Sequence, residues 1–503
     1  MSLESAITQE GKIYKLKREL ASGGQGTVYV CADEKNLVKI CKNTTWWNLR
    51  NLVQEFRAMP EHIKQVFSVP KDIVAQGDKL GYVMPYQTKC ILLKEAFANP
   101  VDGKQWEPWH IKRNLKNRLL ISFHIAQALM DLHAYRYVYR DLSARNILIA
   151  QDAQNTFVRI IDVDNIGPVG REKRLLVTKP YSAPELMRSG GHSRNPAVLY
   201  HNYNTDNYSL AVILFKFLLG KSHPLIGDLI SENDCEQEAA AYLGKGGYVL
   251  DDPKHVCISE TGERQMKQLA EALLPYKLQQ VFHKTFVEGL NEPMERSTAL
   301  DFAEACFDGA NQVYFCPHCH CGYILQVPKE IQPLGPNTNE HVNGPISIYP
   351  RCCPHCGEYV SRKVLVIGDM VYPKIAKSRP GDPPVSNIAK VKAHKWAGRQ
   401  LRYIFPIQDE DIVLARKYIK PCGATEQFED GMYLTVSKGK VYWNNQSAFR
   451  LYYAENQVVG GKERTVWKTV SGKEALAVNK NYYFEPYTNN YEFAERFIKI
   501  IEE

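Results

Sequence analysis

No run of about eighteen apolar residues occurs in this 503-residue chain, which removes the ordinary signature of a membrane-spanning helix. The start, Met1 to Gln9, lacks the basic flank and apolar stretch of a secretory signal. A cytoplasmic location with no membrane partner is the resulting expectation. No internal repeat is found. A regular disulfide framework is missing as well: the 13 cysteines are odd in number, six of them fall between Cys316 and Cys356, and the rest are scattered singly. Without a secretion signal, such clustering points to metal rather than to disulfides.

What is present is an ordinary globular balance, 44% hydrophobic and 23% charged, over a length that suggests two or three domains. The net charge of +8 is concentrated: Lys374 to Arg402 holds eight Lys/Arg residues against the single acid Asp382. Together with Pro373, Pro380, Pro383 and Pro384 this reads as a solvated linker, with an acidic or nucleic-acid partner as the rival. Residues 12–90 read as strands with one helix over Trp46–Ala58, stopped by Pro60. A helical stripe follows in Leu119, Phe123, Ala126, Met130 and His133, and 206–220 and 264–310 are mainly helical. Short strands recur from residue 400, as in Tyr433–Val436 and Lys440–Trp443, and an amphipathic helix is expected over Tyr491–Ile501.

Several segments carry chemistry. Leu20-Ala21-Ser22-Gly23-Gly24-Gln25-Gly26-Thr27-Val28 is a glycine-rich turn whose backbone, free of Cβ atoms, can lie against phosphates. Leu37-Val38-Lys39-Ile40-Cys41 sets a lysine in an apolar strand, which is costly unless the ammonium has partners. Tyr139-Arg140-Asp141-Leu142-Ser143-Ala144-Arg145-Asn146 contains R-D-x-x-x-x-N ahead of an apolar strand. Arg159-Ile160-Ile161-Asp162-Val163-Asp164-Asn165 follows. Thr178-Lys179-Pro180-Tyr181-Ser182-Ala183-Pro184-Glu185 matches T-x-x-Y-x-A-P-E, and Thr205-Asp206-Asn207-Tyr208-Ser209-Leu210 and Arg296 come later.

In this order the segments resemble the protein-kinase superfamily, and the resemblance implies an α+β, bilobal kinase fold over about 10–310, with lobes near 10–87 and 88–310. It implies ATP and Mg²⁺ (or Mn²⁺) as cofactors and a protein acceptor, with Ser/Thr favoured over Tyr. Lys39 would hold phosphates and pair with Glu55, Glu61 being the other nearby acid. Asp141 would take or orient the acceptor hydroxyl proton, Asn146 and Asp162 would bind Mg²⁺, and Arg145 would reach the γ-phosphate where Ser143 replaces the family's lysine. Ala21, Ser22, Gly23, Gly24, Gly26 and Val28 would cover the nucleotide, while Met84, Pro85 and Gln87 would form the adenine hinge. Thr178 would bridge to Asp141, Glu185 would pair with Arg296, and Asp206 would fix the catalytic-loop backbone. Ala21, Tyr139, Ser143 and Asp164 depart from the family pattern. Asp164 stands at a glycine position, where it is expected to adopt a left-handed conformation with its carboxylate facing solvent. Asn165 to Val177 contains no Ser, Thr or Tyr, so Arg140 has no phosphate to bind there; Arg171, Lys173 and Arg174 occupy the stretch instead. Activity independent of phosphorylation upstream of Thr178 is the expectation.

Cys316-Pro317-His318-Cys319 and Cys353-Pro354-His355-Cys356 are two C-x-x-C turns that together suit structural Zn²⁺ in a zinc-ribbon-like module, 311–370. Cys321, Cys352, His318, His320 and His355 leave the ligand set open. Residues 371–399 then read as a basic linker and 400–503 as a small β-rich domain with a terminal helix. Two further readings stand beside the enzyme: a pseudokinase scaffold, and a zinc-ribbon nucleic-acid-binding protein with an accessory kinase domain. The architecture is similar to that of bacterial multidomain kinases, which implies a stress or signalling role with an operon-encoded partner and a cognate phosphatase.

Overall fold

The computed structural model describes residues 4–42, 44–97, 110–170, 178–188, 200–220, 223–230, 234–326, 348–372 and 398–502, apart from 421, 425, 445, 448, 460, 461, 485, 486 and 489–492. The chain divides into two units, Met1–Phe307 and Asp308–Glu503. Among the described residues no helix is long and apolar enough to cross a membrane.

In the first unit, alternating apolar residues pair as one antiparallel sheet. Its strands are β1 (Ser5–Ile7), β2 (Ile13–Ser22), β3 (Gly26–Cys31), β4 (Asn36–Cys41), β5 (Asp72–Gln76) and β6 (Lys79–Pro85), ordered β1-β2-β3-β4-β6-β5. One face packs Ala6, Tyr14, Cys31, Val38, Val74 and Val83. Successive side chains of a strand point to opposite faces, so Lys39 leaves β4 on the side away from Val38. Its cross-strand neighbours are Val28 and Tyr82. Glycine is demanded at two places beside it: a Cβ on Gly26 or Gly81 would collide with the carbonyl of Ile40 or Lys39. Helix α1 (Trp46–Ala58) starts where the Thr45 side chain accepts from the Asn48 N–H, and it buries Leu49, Leu52, Val53 and Phe56. Pro60 precedes the short α2 (Glu61–Val66).

The rest of this unit is mainly helical: α3 (Leu115–Ala134), α4 (Pro184–Arg188), α5 (Tyr203–Leu219), α6 (Cys235–Ala240), α7 (Glu260–Leu273), α8 (Tyr276–Phe286) and α9 (Ala299–Asn311), whose end from Asp308 is counted with the second unit. Helix α5 is capped by Asn202, which accepts from the N–H groups of Asn204 and Thr205, and is buried nearly all round. Five short strands fix the site. β7 (Cys90–Leu92), β9 (Ile147–Ala150) and β10 (Val158–Ile160) form one sheet, with β9 central, and β8 (Tyr137–Val138) pairs with β11 (Gly167–Pro168). The loops 139–146 and 161–166 each run from one of these pairings to the other, so they must lie side by side.

In the second unit β12 (Val313–Phe315) and β13 (Gly322–Ile324) make a hairpin. β14 (Lys363–Tyr372), β15 (Gly398–Pro406), β19 (Tyr452–Val459), β20 (Lys462–Thr469), β21 (Asn481–Tyr483), β22 (Tyr487–Thr488) and β23 (Phe493–Glu502) make a seven-stranded sheet, while β16 (Ile412–Ala415), β17 (Asp430–Ser437) and β18 (Lys440–Trp443) make a separate one of three. A single-turn helix, α10 (Arg416–Ile419), follows β16.

Two expectations are corrected here. The terminal segment is a strand, not a helix: β23 pairs with β14 over its whole length and with β21 on its other side. Phe497, Ile498, Lys499, Ile500 and Ile501 are all buried, so the strand shows no two-residue alternation. The spacing of Phe493, Phe497, Ile500 and Ile501 imitates a helical stripe. The boundary set at 370 falls inside β14, whose Val364 and Val366 share a core with Cys316, Cys353, Ile404 and Ile501. Of the expected linker, 373–397 lies outside the described residues, as do Arg171, Lys173 and Arg174.

Candidate active site and metal cluster

The two adjacent loops of the first unit bring the acidic residues together. Asp141 accepts from Thr178 Oγ1 at 2.5 Å through Oδ1, and Asn165 Nδ2 lies 3.5 Å from Oδ2. Asn146 Nδ2 donates to the Asp141 carbonyl at 2.9 Å, which turns the loop back on itself. Burial raises the Asp141 carboxyl above its ordinary value, and the Thr178 hydrogen bond opposes the rise.

The loop is held from below by Asp206, 1% exposed at the start of α5. Its carboxylate accepts from the N–H of Tyr139 at 2.7 Å and of Arg140 at 3.1 Å, and it faces His133 Nε2 at 3.2 Å. Arg140 has φ of 73°, a left-handed conformation unusual for a side chain of its size. Its guanidinium donates to the Pro168 carbonyl at 2.9 Å and packs so closely on Gly167 that a Cβ there would strike it. Arg140 thus binds the backbone that follows the second loop. Tyr139, where the family pattern has histidine, sends its hydroxyl to the carbonyl of Ile161, and to that of Asp162 at 3.3 Å. Burial keeps this phenol protonated as a donor, pushing it well above its ordinary value.

Lys39, buried on β4, crosses to the second loop. Its ammonium lies 2.5 Å from Asp162 Oδ1 and 2.5 Å from Asp164 Oδ2. Burial works against the charge, but the carboxylates, Asp164 first, outweigh it and hold Lys39 above its ordinary value. The Lys39–Glu55 pairing read from the sequence is not what the structure shows: both carboxylates on the ammonium come from the loop, and Glu55 lies half-buried on α1. Asp164 is likewise not turned to solvent. Its second oxygen accepts from the Tyr82 hydroxyl, and its side chain is 23% exposed. The left-handed residue of this loop is Asp162, with φ of 61°, while Asp164 sits within a 3-10 turn, Val163–Asn165.

Over this group lies the glycine-rich turn. Ala21 and Ser22 on β2 pair with Val28 and Thr27 on β3. Gly23 and Gly24 have open space where a Cβ would stand. The packing therefore does not demand glycine there, whereas a phosphate approaching the backbone would. Gln25, at the tip, faces the metal-type acids: with its amide set to satisfy both ends, its nitrogen is 3.1 and 3.3 Å from the Asp162 carboxylate, and its oxygen accepts from Asn165 Nδ2 at 3.2 Å. Sequence reading missed Gln25 and Tyr82. The period of two along β6, which puts Tyr82 on the Lys39 side, was the available signal for the second. Met84 is buried opposite Leu37, Pro85 ends β6 opposite Asn36, and Gln87 follows half-buried. Arg145 is exposed; burial raises the neighbouring Tyr181 phenol to about 12 against the lowering effect of the Arg145 charge.

Behind the site Arg296 grips Glu185 with two parallel bonds of 2.7 and 2.8 Å and donates to the carbonyls of Gly289 and Asn204. The Arg296 side chain is fully buried, and Glu185 is 17% exposed. Removing one partner would strand a buried charge, so Arg296→Ala is expected to cost about 3–5 kcal/mol. Chemical denaturation of the full chain, monitored by hydrogen exchange in α4 and α5, checks this; a loss of under about 1 kcal/mol, the scale of an exposed pair, would contradict it.

In the second unit Cys316, Cys319, Cys353 and Cys356 place their sulfurs within 4.8 Å of one another. Two of the S–S separations are 3.8 and 3.7 Å, close to the roughly 3.8 Å edge of a tetrahedron with Zn–S bonds of about 2.3 Å. The two turns are built alike: His320 donates to the Cys316 carbonyl and Gly357 to that of Cys353, and both have positive φ, 57° and 79°. His355 Nε2 is bonded to the Gly322 carbonyl at 3.0 Å, which turns that ring away from the sulfurs. Cys321, Cys352, His318 and His320 are not part of the four-sulfur group. The donor set fits a closed, structural metal site.

A sequence model of the protein kinase domain matches residues 14–282, more than half of the chain. Among curated proteins, the chain is 25% identical over 244 residues to the serine/threonine-protein kinase PknA of Mycobacterium tuberculosis, covering 45% of this chain and 51% of that one. It is 24% identical over 268 residues to a putative ribosomal protein S6 kinase alpha-1 of Caenorhabditis elegans, covering 51% and 31%. It is 28% identical over 150 residues to a probable serine/threonine-protein kinase, PBL18, of Arabidopsis thaliana, covering 29% and 34%. The matched portion spans about half of these relatives or less.

Proposed function

Because this chain belongs to the protein kinase superfamily, we propose that it transfers the γ-phosphate of ATP to serine or threonine hydroxyls of a protein acceptor. The observation that carries the reading is that Lys39 on β4 meets the pair of loops bearing Asp141, Asn146 and Asp162, under a turn whose Gly23 and Gly24 leave the backbone open. Asn146 and Asp162 would hold Mg²⁺, which when bound spreads and neutralises phosphate charge. Lys39 supplies positive charge to the phosphates. Asp141 accepts the proton of the acceptor hydroxyl, and its Thr178 bond fixes the carboxylate plane. Asp206 keeps the loop backbone from shifting as charge redistributes. Arg145, exposed at the loop, would meet the γ-phosphate. The Thr178–Asp141 bond and the names of the relatives both favour a serine or threonine acceptor. On the resemblance to multidomain bacterial kinases, we place that acceptor in stress or signalling.

The test is transfer from γ-labelled ATP by the full chain, to itself and to a generic protein acceptor, followed by phosphoamino-acid analysis. Labelled serine or threonine that disappears in Lys39→Ala is the expected result. Equal labelling by both proteins ends the enzyme reading and leaves the scaffold. Labelled tyrosine keeps the enzyme and overturns its acceptor.

A further inference from the structure

Lys39 needs a carboxylate partner that stays with it when a metal occupies Asp162, since one carboxylate cannot serve both fully. The candidate acids for that role are Glu55 on α1, Glu61 at the start of α2 and Asp164 on the loop. The geometry points to Asp164: we infer that it is the positioning residue of Lys39, taking over the part that the sequence pattern assigns to the helix glutamate. The inference rests on the kinase reading above and specifies how that site is assembled.

Three observations support it. Asp164 Oδ2 is 2.5 Å from the Lys39 ammonium, and Oδ1 accepts from the Tyr82 hydroxyl, so both oxygens are fixed. Tyr82 is fully buried and lies directly across the strands from Lys39 in register, which makes the two donors a rigid pair on β4 and β6. Burial pushes the Tyr82 phenol well above its ordinary value, so it remains a donor. A glycine at 164 could do none of this. Because the left-handed conformation falls on Asp162 instead, position 164 is free to carry a side chain without backbone strain. The loop that bears the metal-type acid is thereby tied straight to the sheet, and Lys39 is set without requiring Glu55 on α1. Among the described residues, the titratable groups around Lys39 are Asp162 and Asp164 from the loop, Tyr82 from β6 and the Cys41 thiol two residues along β4.

Two measurements on the full chain test this, with Glu55→Gln, Asp164→Asn and Asp164→Glu compared with wild type. The first is the extent of labelling of Lys39 by acetic anhydride at one fixed pH, read by mass spectrometry, which reports how firmly the ammonium is held whether or not the protein turns over ATP. Asp164→Asn is expected to raise Lys39 labelling several-fold, and Glu55→Gln to leave it unchanged. The second is steady-state transfer at varied ATP. Asp164→Asn is expected to lower kcat/KM for ATP by about tenfold or more, the range of a lost charge-assisted contact, Asp164→Glu to recover part of it, and Glu55→Gln to stay within about threefold of wild type on the same scale. Lys39 labelling that rises with Glu55→Gln and not with Asp164→Asn overturns the inference. Absence of transfer in wild type overturns the kinase reading, and the labelling result still decides the pairing.

Discussion

Asp141→Asn is expected to reduce phosphoryl transfer by about 100- to 10,000-fold, the usual contribution of a positioned proton acceptor, while leaving the protein as stable as before or slightly more so. The two halves of this result come from one cause. Burial raises the Asp141 carboxyl above its ordinary value. An acid whose folded pKa exceeds its unfolded one opposes folding once it ionises. The penalty is absent below the unfolded value, near about 3.9 for aspartate, grows between the unfolded and folded values, and is complete above the folded one. At neutral pH asparagine escapes that penalty, keeps an oxygen for the Thr178 hydroxyl, and cannot take a proton. The same shift sets the acid side of the activity profile, since kcat/KM falls as Asp141 protonates, at a higher pH than an ordinary aspartate would give. Measuring transfer and thermal midpoint together checks the pair. A large fall in midpoint accompanying the loss of activity would make Asp141 a fold residue and remove it from the chemistry.

What could be read from sequence and what could not divides by the kind of contact. Asp206, Arg296 and Glu185 act on backbone or on each other through fixed, bidentate geometry, so residue type and order nearly determine the contact. The four cysteines come together because two C-x-x-C turns leave little freedom. The Lys39 partner was different. Glu55 and Asp164 are both acids, and residue type alone does not choose between them. A sequence does not state whether a departure at a glycine position moves the left-handed residue back by two places, as it does here to Asp162. The terminal strand failed for a related reason. Phe497, Ile500 and Ile501 have helical spacing, and only the presence of β14 and β21 on both sides makes an extended chain the better home for them. Its Lys499 is buried too, which pattern reading would place at a surface.

Removal of metal from the cysteine cluster is expected to unfold a part of the second unit larger than the two turns. Cys316 and Cys353 are buried in one core with Tyr314, Tyr323, Leu325, Ile348, Val360, Val364, Val366, Ile404 and Ile501. That core joins β12 and β13 to β14, β15 and β23, so the turns cannot loosen alone. The free energy of structural zinc in small domains is about 10–16 kcal/mol at neutral pH, comparable with a typical domain's whole stability of about 5–15 kcal/mol. A fragment ending at 370 would cut β14 and remove Ile404 and Ile501, so the full chain is the proper sample. About one zinc per chain by elemental analysis is expected, matching one closed four-thiolate set. Chelation, or Cys316→Ser with Cys353→Ser, is then expected to speed amide exchange in β12, β13, β14 and β23 by several orders of magnitude, as local protection is lost. Exchange in α5, inside the first unit, should stay slow. Full-length protein that holds no zinc after refolding with the metal, or chelation that leaves β14 and β23 protected, would show that this core stands without it. Fast exchange confined to Cys316–Cys321 and Cys353–Gly357 would contradict the shared-core argument while leaving the site itself intact.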